Sequence, residues 1–249
     1  MESLLYSLLA GITTVFGAIT IMIFGMPGKS LLSGLLGFAG GVMLAIALFD
    51  LMPEALEHGT MVSVLVGFLV GAAIMYILDR LIPHAHLSLN KEVVTENVPA
   101  GSMVDEKILR VGYLIFLGIA LHNLPEGVAI GAGLEASPEL GLSIAIAIGL
   151  HNIPEGIAVA GPLRAGGLSV AKVIFLTLIA GLMVPLGAAL GLLFFNISPL
   201  FIGGGLAFAA GAMVYIVNDE LIPQSHKLND HLAIGGLIAG LLVVFVLTS

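Results

Sequence analysis

The sequence contains no cysteine, which excludes disulfides, thiolate metal ligands and a cysteine nucleophile. The redox compartment stays open, since a chain without thiols suits either kind. Charge is nearly as scarce: Asp, Glu, Lys and Arg make up 10% of 249 residues, against 59% hydrophobic. A soluble domain carries about 25% charged residues and cannot hide so much apolar surface. Basic side chains are the rarest charged group, 8 Lys and Arg against 16 Asp and Glu, for a formal net charge of −8. No nucleic-acid partner is expected of such a chain.

What remains is long apolar stretches, and these point to an all-α integral membrane protein. A helix needs about 20 apolar residues to cross a bilayer. Runs broken by Pro, Gly and charge clusters predict eight spans, over about 3–25, 32–52, 61–82, 108–131, 139–161, 170–195, 200–222 and 231–248. The first run is too long for a signal-peptide core and has Glu2 in place of a basic leader, so it is expected to be a retained span. A polar connector over about 83–107 separates the third and fourth spans. The other connections are short turns, so residues 1–249 are expected to form one polytopic membrane domain.

The few basic residues set an orientation. Lys29, Arg80, Lys91, Lys107, Arg110, Arg164, Lys172 and Lys227 all fall on one side of an eight-span chain, and the opposite loops contain none. By the positive-inside rule that side is cytoplasmic, which puts both termini outside. Glu2, Glu54, Glu57, Glu135 and Glu139 then lie on the outer face with no basic residue to offset them. An acidic surface concentrates cations, although loop solubility alone accounts for any one of these residues.

An internal repeat is visible at a constant offset of 170 residues. Phe38-Ala39-Gly40-Gly41-Val42-Met43 matches Phe208-Ala209-Ala210-Gly211-Ala212-Met213, and Asp50-Leu51-Met52-Pro53 matches Glu220-Leu221-Ile222-Pro223. The matching stretches lie on the second and seventh spans, which cross in opposite directions. The expected organisation is therefore an inverted 3+2+3 repeat, a plan that transporters often carry with the substrate near the midplane.

The fourth and fifth spans each hold one copy of a six-residue phrase: His122-Asn123-Leu124-Pro125-Glu126-Gly127 and His151-Asn152-Ile153-Pro154-Glu155-Gly156. Positions i and i+4 share a helix face, so each copy presents an imidazole and a carboxylate together, with an asparagine one residue on. An acid in mid-span costs roughly 3 kcal/mol on insertion scales, so Glu126, Glu155 and Glu220 together need about 9 kcal/mol of compensation. No Lys or Arg lies at that depth. Protons or a bound cation remain. Pro125 and Pro154 add to the ligand supply, because each frees a carbonyl one turn earlier, near Leu121 and Leu150.

Imidazole with carboxylate and amide oxygen is a donor set of intermediate hardness that suits zinc first, with iron and manganese as alternatives. Without thiolate, such ligands also release the ion, as a transport site must. The paired motifs, the eight spans, the outside termini and the histidine-bearing third connector together resemble the ZIP family of divalent metal transporters, in its prokaryotic GufA-like branch. The resemblance covers the whole chain. It implies one metal position held by His122, Glu126, His151 and Glu155, and a neighbouring one held by Asn123, Asn152 and Glu220, with Glu126 and Glu155 bridging two ions. It further implies a thioether from Met43, entrance residues Asp50 and Glu54, and histidines His84, His86 and His226 that receive metal on the inner side; core packing for Met43 and a solvated role for the loop histidines are the plainer readings.

The implied activity is movement of Zn2+, and also Fe2+, Mn2+ or Cd2+, into the cytoplasm by alternating access, with the first, fourth, fifth and sixth spans moving against the rest. The metal is cargo and no catalytic cofactor is expected. The lipid bilayer and divalent ions are the expected partners, with a homodimer as the candidate assembly, in the cell (inner) membrane. Gln224 stands where the family commonly has an acid, which weakens the expected exit. Two other readings stay open. An intramembrane zinc-dependent hydrolase would use His-x-x-x-Glu with an open coordination position, and a proton or sodium pathway would use Glu126 and Glu155 without metal.

Overall fold

The computed structural model describes residues 2–81, 106–195 and 199–248. Among these residues there is no strand, and eight helices are long and apolar enough to cross a membrane: α1 Glu2–Phe24, α2 Lys29–His58, α3 Met61–Arg80, α4 Ile108–Ala136, α5 Pro138–Ala165, α6 Val170–Phe194, α7 Leu200–Leu228 and α8 Asp230–Thr248. The chain is an all-α, multi-pass membrane protein. The connector expected over 83–107, with His84 and His86, lies outside the described residues as far as 105, and helix resumes at Glu106.

Local chemistry sets the helix ends. Ser137 caps α5, its hydroxyl accepting from the Leu140 N–H at 3.2 Å, and Pro138 takes the first helical position, where a missing N–H costs nothing. Gly25 and Gly167, at φ 78° and 96°, turn the chain after α1 and α5.

Several helices run further than the sequence suggests. The second and seventh spans, expected to stop near 52 and 222, continue to His58 and Leu228. In both, a π-helical turn intervenes, Ile46–Leu51 in α2 and Val217–Leu221 in α7, and the following proline, Pro53 or Pro223, falls near the start of a fresh α-helical piece. Proline at such a position has no hydrogen bond to lose, so it does not end the helix. α5 also runs on, with Pro162 inside the helix, to Ala165.

Packing divides the helices into two groups. α1, α4, α5 and α6 lie against one another, chiefly as α1 with α5 and α6, and α4 with α5 and α6. The rest assemble through α2 with α8 and α3 with α7, and the groups meet where α4 touches α7 and α5 touches α2. α5 is the most enclosed, with 67% of its most apolar window buried against 17% for α3 and α8. The element at the centre therefore carries one copy of the motif.

Small residues make this closeness possible. A Cβ added at Gly127 would overlap the Val184 carbonyl of α6, and one at Gly156 the Thr14 carbonyl of α1. The glycine that closes each motif thus lets a neighbouring backbone come into contact, the usual use of small residues where lipid gives helices no hydrophobic reason to associate.

Candidate metal centre

α4 and α5 bring the two motifs together in the interior. His122, Asn123, Glu126, His151, Asn152 and Glu155 are each at most 1% exposed. Within one motif the spacing places His151 Nε2 3.8 Å from Glu155 Oε1. The shorter contacts run between helices: His122 Nε2 donates to Glu155 Oε1 at 3.1 Å, and His151 Nε2 to Glu126 Oε1 at 2.9 Å. Each imidazole is thus paired with the carboxylate of the other motif. On its far side, His151 Nδ1 faces the Ala147 carbonyl at 3.2 Å, which turns Nε2 toward the acids.

The asparagines complete a second reciprocal pattern. Asn123 Nδ2 donates to the Ala180 carbonyl of α6 at 2.8 Å, and Asn152 Nδ2 to the Ala10 carbonyl of α1 at 3.1 Å. Ala10 and Ala180 stand 170 residues apart, the offset of the sequence repeat, as do Thr14 and Val184 beneath the two motif glycines.

Four acceptor oxygens at this place are buried without a hydrogen-bond partner among the described residues: Glu126 Oε2, Glu155 Oε2, Asn123 Oδ1 and Asn152 Oδ1. Buried acceptors that find no donor are costly, and a bound cation is one way to relieve them. His122, Glu126 and Glu155 each offer a ligand atom within 4.8 Å of the others, compact enough for one metal ion to engage them.

The chain matches the family model for the ZIP zinc transporter over residues 95–248. Curated proteins named zinc transporter ZupT are similar over nearly the whole length. That of Chlorobaculum parvum is 38% identical, with 96% of this chain and 94% of the relative covered. Those of Corynebacterium aurimucosum and Escherichia fergusonii are 37% and 38% identical, covering 96% and 92% of this chain and 93% and 88% of theirs. The chain belongs to the ZIP family.

Other candidate residues of this ZIP-family chain lie around the centre. Met43 is fully buried within the apolar core, and Asp50 is 8% exposed within the π turn of α2. Glu54 pairs with His58 at the end of α2, at 3.5 Å, and His226 with Asp230 between α7 and α8, at 2.9 Å. Glu220 lies in the π turn of α7 and accepts from Gln224 Nε2 at 3.3 Å.

Glu220 also lines a cavity that reaches His122 and Leu121 of the motif helix. Its walls come from the C-terminal part of α3, the N-terminal half of α4 and the C-terminal part of α7, so it lies toward the end of the molecule that carries Arg80, Arg110 and Lys227. Asp79 and Asp219 line it as well, two acids that the sequence reading did not single out. Tyr215 holds Asp79 through its hydroxyl and packs edge-on against Tyr76, with centroids 6.2 Å apart, joining α3 to α7. The signal for Asp79 was an acid inside an apolar run, the same feature that marked Glu126.

Proposed function

We propose that the chain is a zinc transporter of the cell membrane that carries Zn2+ into the cytoplasm, with Fe2+, Mn2+ and Cd2+ as further cargo. The observation that carries this reading is the reciprocal pair of His–Glu contacts between α4 and α5, surrounded by carboxylate and amide oxygens that lack donors. The names of the relatives supply the metal and the activity.

The chemistry follows from the donor atoms. In the metal-free centre, a proton on each Nε2 joins an imidazole to a carboxylate across the helix interface. A divalent ion replaces those protons, since imidazole and carboxylate ligate only when deprotonated. His122, Glu126, His151 and Glu155 form the first position. Asn123, Asn152 and Glu220 then form an adjoining position with the second oxygens of Glu126 and Glu155, so that these two glutamates bridge two ions. N and O ligands without thiolate permit the release that transport needs.

The path inward runs from His122 along the cavity to Glu220, Asp219 and Asp79. Those acids attract the departing cation, and His226, with His84 and His86 of the connector, receives it. Glu54 belongs to the outer entrance and Met43 borders the centre. α1, α4, α5 and α6 move as one body against α2, α3, α7 and α8; the division seen in the packing supports this. The recurrence of π turns and helix contacts at an offset of 170 residues supports an inverted repeat within a single polytopic unit. Termini lie outside, as the basic residues indicate. Pairing of two copies belongs to the same proposal, α3 and α8 leaving the most apolar surface uncovered.

The hydrolase alternative loses its ground: the carboxylates that would serve as base are held on imidazoles, and the relatives bear transporter names. Uptake into proteoliposomes across a panel of divalent ions tests the reading. Glu126→Ala and Glu155→Ala should each lower zinc flux by at least about tenfold, the range for losing a ligand or its outer-shell support. Unchanged flux of every metal in both variants would contradict it.

A further inference from the structure

A second cavity lies at the same basic end of the molecule, and its chemistry is the opposite of the first. Leu32 and Leu36 of α2, Ala158 and Pro162 of α5 and Leu228 of α7 form its walls. Met26, in the turn after α1, is half-exposed and supplies a flexible lip. Gln224 is the one polar residue among those lining it, and its Nε2 is turned away to Glu220 Oε1 at 3.3 Å. The wall is therefore apolar. On each helix the lining residues stand four apart, one turn or about 6 Å. That height holds a short stretch of acyl chain.

Three of the eight basic residues stand on the segments that form this cavity. Lys29 shares a helix face with Leu32 and Leu36, at i, i+3 and i+7, Lys227 adjoins Leu228, and Arg164 follows Pro162 by two residues. Arg164 donates to the Leu168 carbonyl at 3.0 Å, which leaves Lys29 and Lys227, both exposed. The acid next along the chain, Asp230, pairs with His226 at 2.9 Å. Whereas the first cavity presents Asp79, Asp219 and Glu220 and suits a cation, an apolar slot with a basic rim between membrane helices suits an amphiphile with an anionic head. We infer that this cavity binds an anionic phospholipid, with one acyl chain between α2, α5 and α7 and the phosphate on Lys29 and Lys227. Because α5 belongs to one packed group of helices and α2 and α7 to the other, the lipid bridges the seam and resists relative movement of the two. The binding goes beyond the transport reading and does not need it; the effect on movement rests on that reading.

Native mass spectrometry of the purified protein, offered phosphatidylglycerol and phosphatidylcholine of matched chains in equal amounts, reads the binding directly. The wild type should retain phosphatidylglycerol preferentially, and Lys29→Gln and Lys227→Gln should each lower that preference by about fivefold, the effect of one basic residue near an anionic headgroup. Ala158→Leu, which fills the slot, should lower retention of phosphatidylglycerol with both lysines in place; Leu228→Phe is read in the same way if that variant inserts poorly. Lys172→Gln, at the same end on α6, which does not line the cavity, should change nothing. Equal retention of the two lipids by the wild type overturns the proposal, and so does an equal loss from Lys172→Gln, as general surface charge would give. In proteoliposomes, added phosphatidylglycerol should lower the maximal zinc flux of the wild type and not that of the double variant Lys29→Gln, Lys227→Gln; an equal response in both overturns the bridge across the seam. Absence of zinc flux in every lipid would remove the transport reading and leave the lipid site standing on the binding measurement.

Discussion

The two imidazoles of the centre each face the carboxylate of the other helix, at 3.1 and 2.9 Å. Removing one imidazole therefore affects both motifs. His151→Ala should leave Glu126 without its donor, weaken zinc binding by at least about tenfold and lower flux with it, as equilibrium zinc titration of the purified protein would show. The asparagines contribute differently. Asn123→Ala removes the only bond drawn from that side chain to the Ala180 carbonyl, and Asn152→Ala the matching bond to Ala10; each should cost about 1–3 kcal/mol, read as a lower Tm in detergent even without zinc. The donor residues were legible in the sequence because an acid in mid-span has to be explained. Their pairing was not: spacing along one helix favours His151 with Glu155, and only antiparallel packing of α4 on α5 exchanges the partners. Asp79 was overlooked because it lies three residues from the expected end of its span, where an acid is unremarked.

At the level of the helix, Gly127 and Gly156 decide how closely α4 meets α6 and α5 meets α1. Gly127→Val and Gly156→Val should each force those backbones apart, costing about 1–3 kcal/mol or more. The measured effect should be a fall in Tm accompanied by loss of zinc binding, because the same helices hold the donors. Gly204→Ala, where an added Cβ meets nothing within 4 Å, should leave both unchanged. Existence and order of the eight spans were readable from apolar run length alone. Their ends were not, since Pro53, Pro162 and Pro223 resemble stop signals in one dimension; at Pro53 and Pro223 a preceding π turn and a first-turn position absorb the missing N–H, whereas Pro162 stands inside α5.

Across the whole molecule, two packed groups of helices enclose a centre that is closed around Asp50 and reached by a cavity from the side of Asp79 and Glu220. Protons compete with metal for the ligands, so zinc uptake at fixed free zinc should fall as pH drops. Orientation is equally open to measurement, and the absence of native cysteine removes background labelling. Glu139→Cys should react with an impermeant thiol reagent from outside the cell and Ser169→Cys only after permeabilisation; the reverse would overturn the orientation drawn from the basic residues. The 170-residue offset was legible in the sequence as matched phrases, and in three dimensions it recurs in Ala10 with Ala180 and in the paired π turns. X-ray absorption at the zinc edge of the loaded protein addresses most directly whether the two motifs form one composite site. Imidazole scattering with N and O ligands at about 2.0–2.2 Å is predicted, and His122→Ala and His151→Ala should each reduce the imidazole contribution. A spectrum that neither substitution alters, or one without imidazole, would contradict a shared centre between α4 and α5.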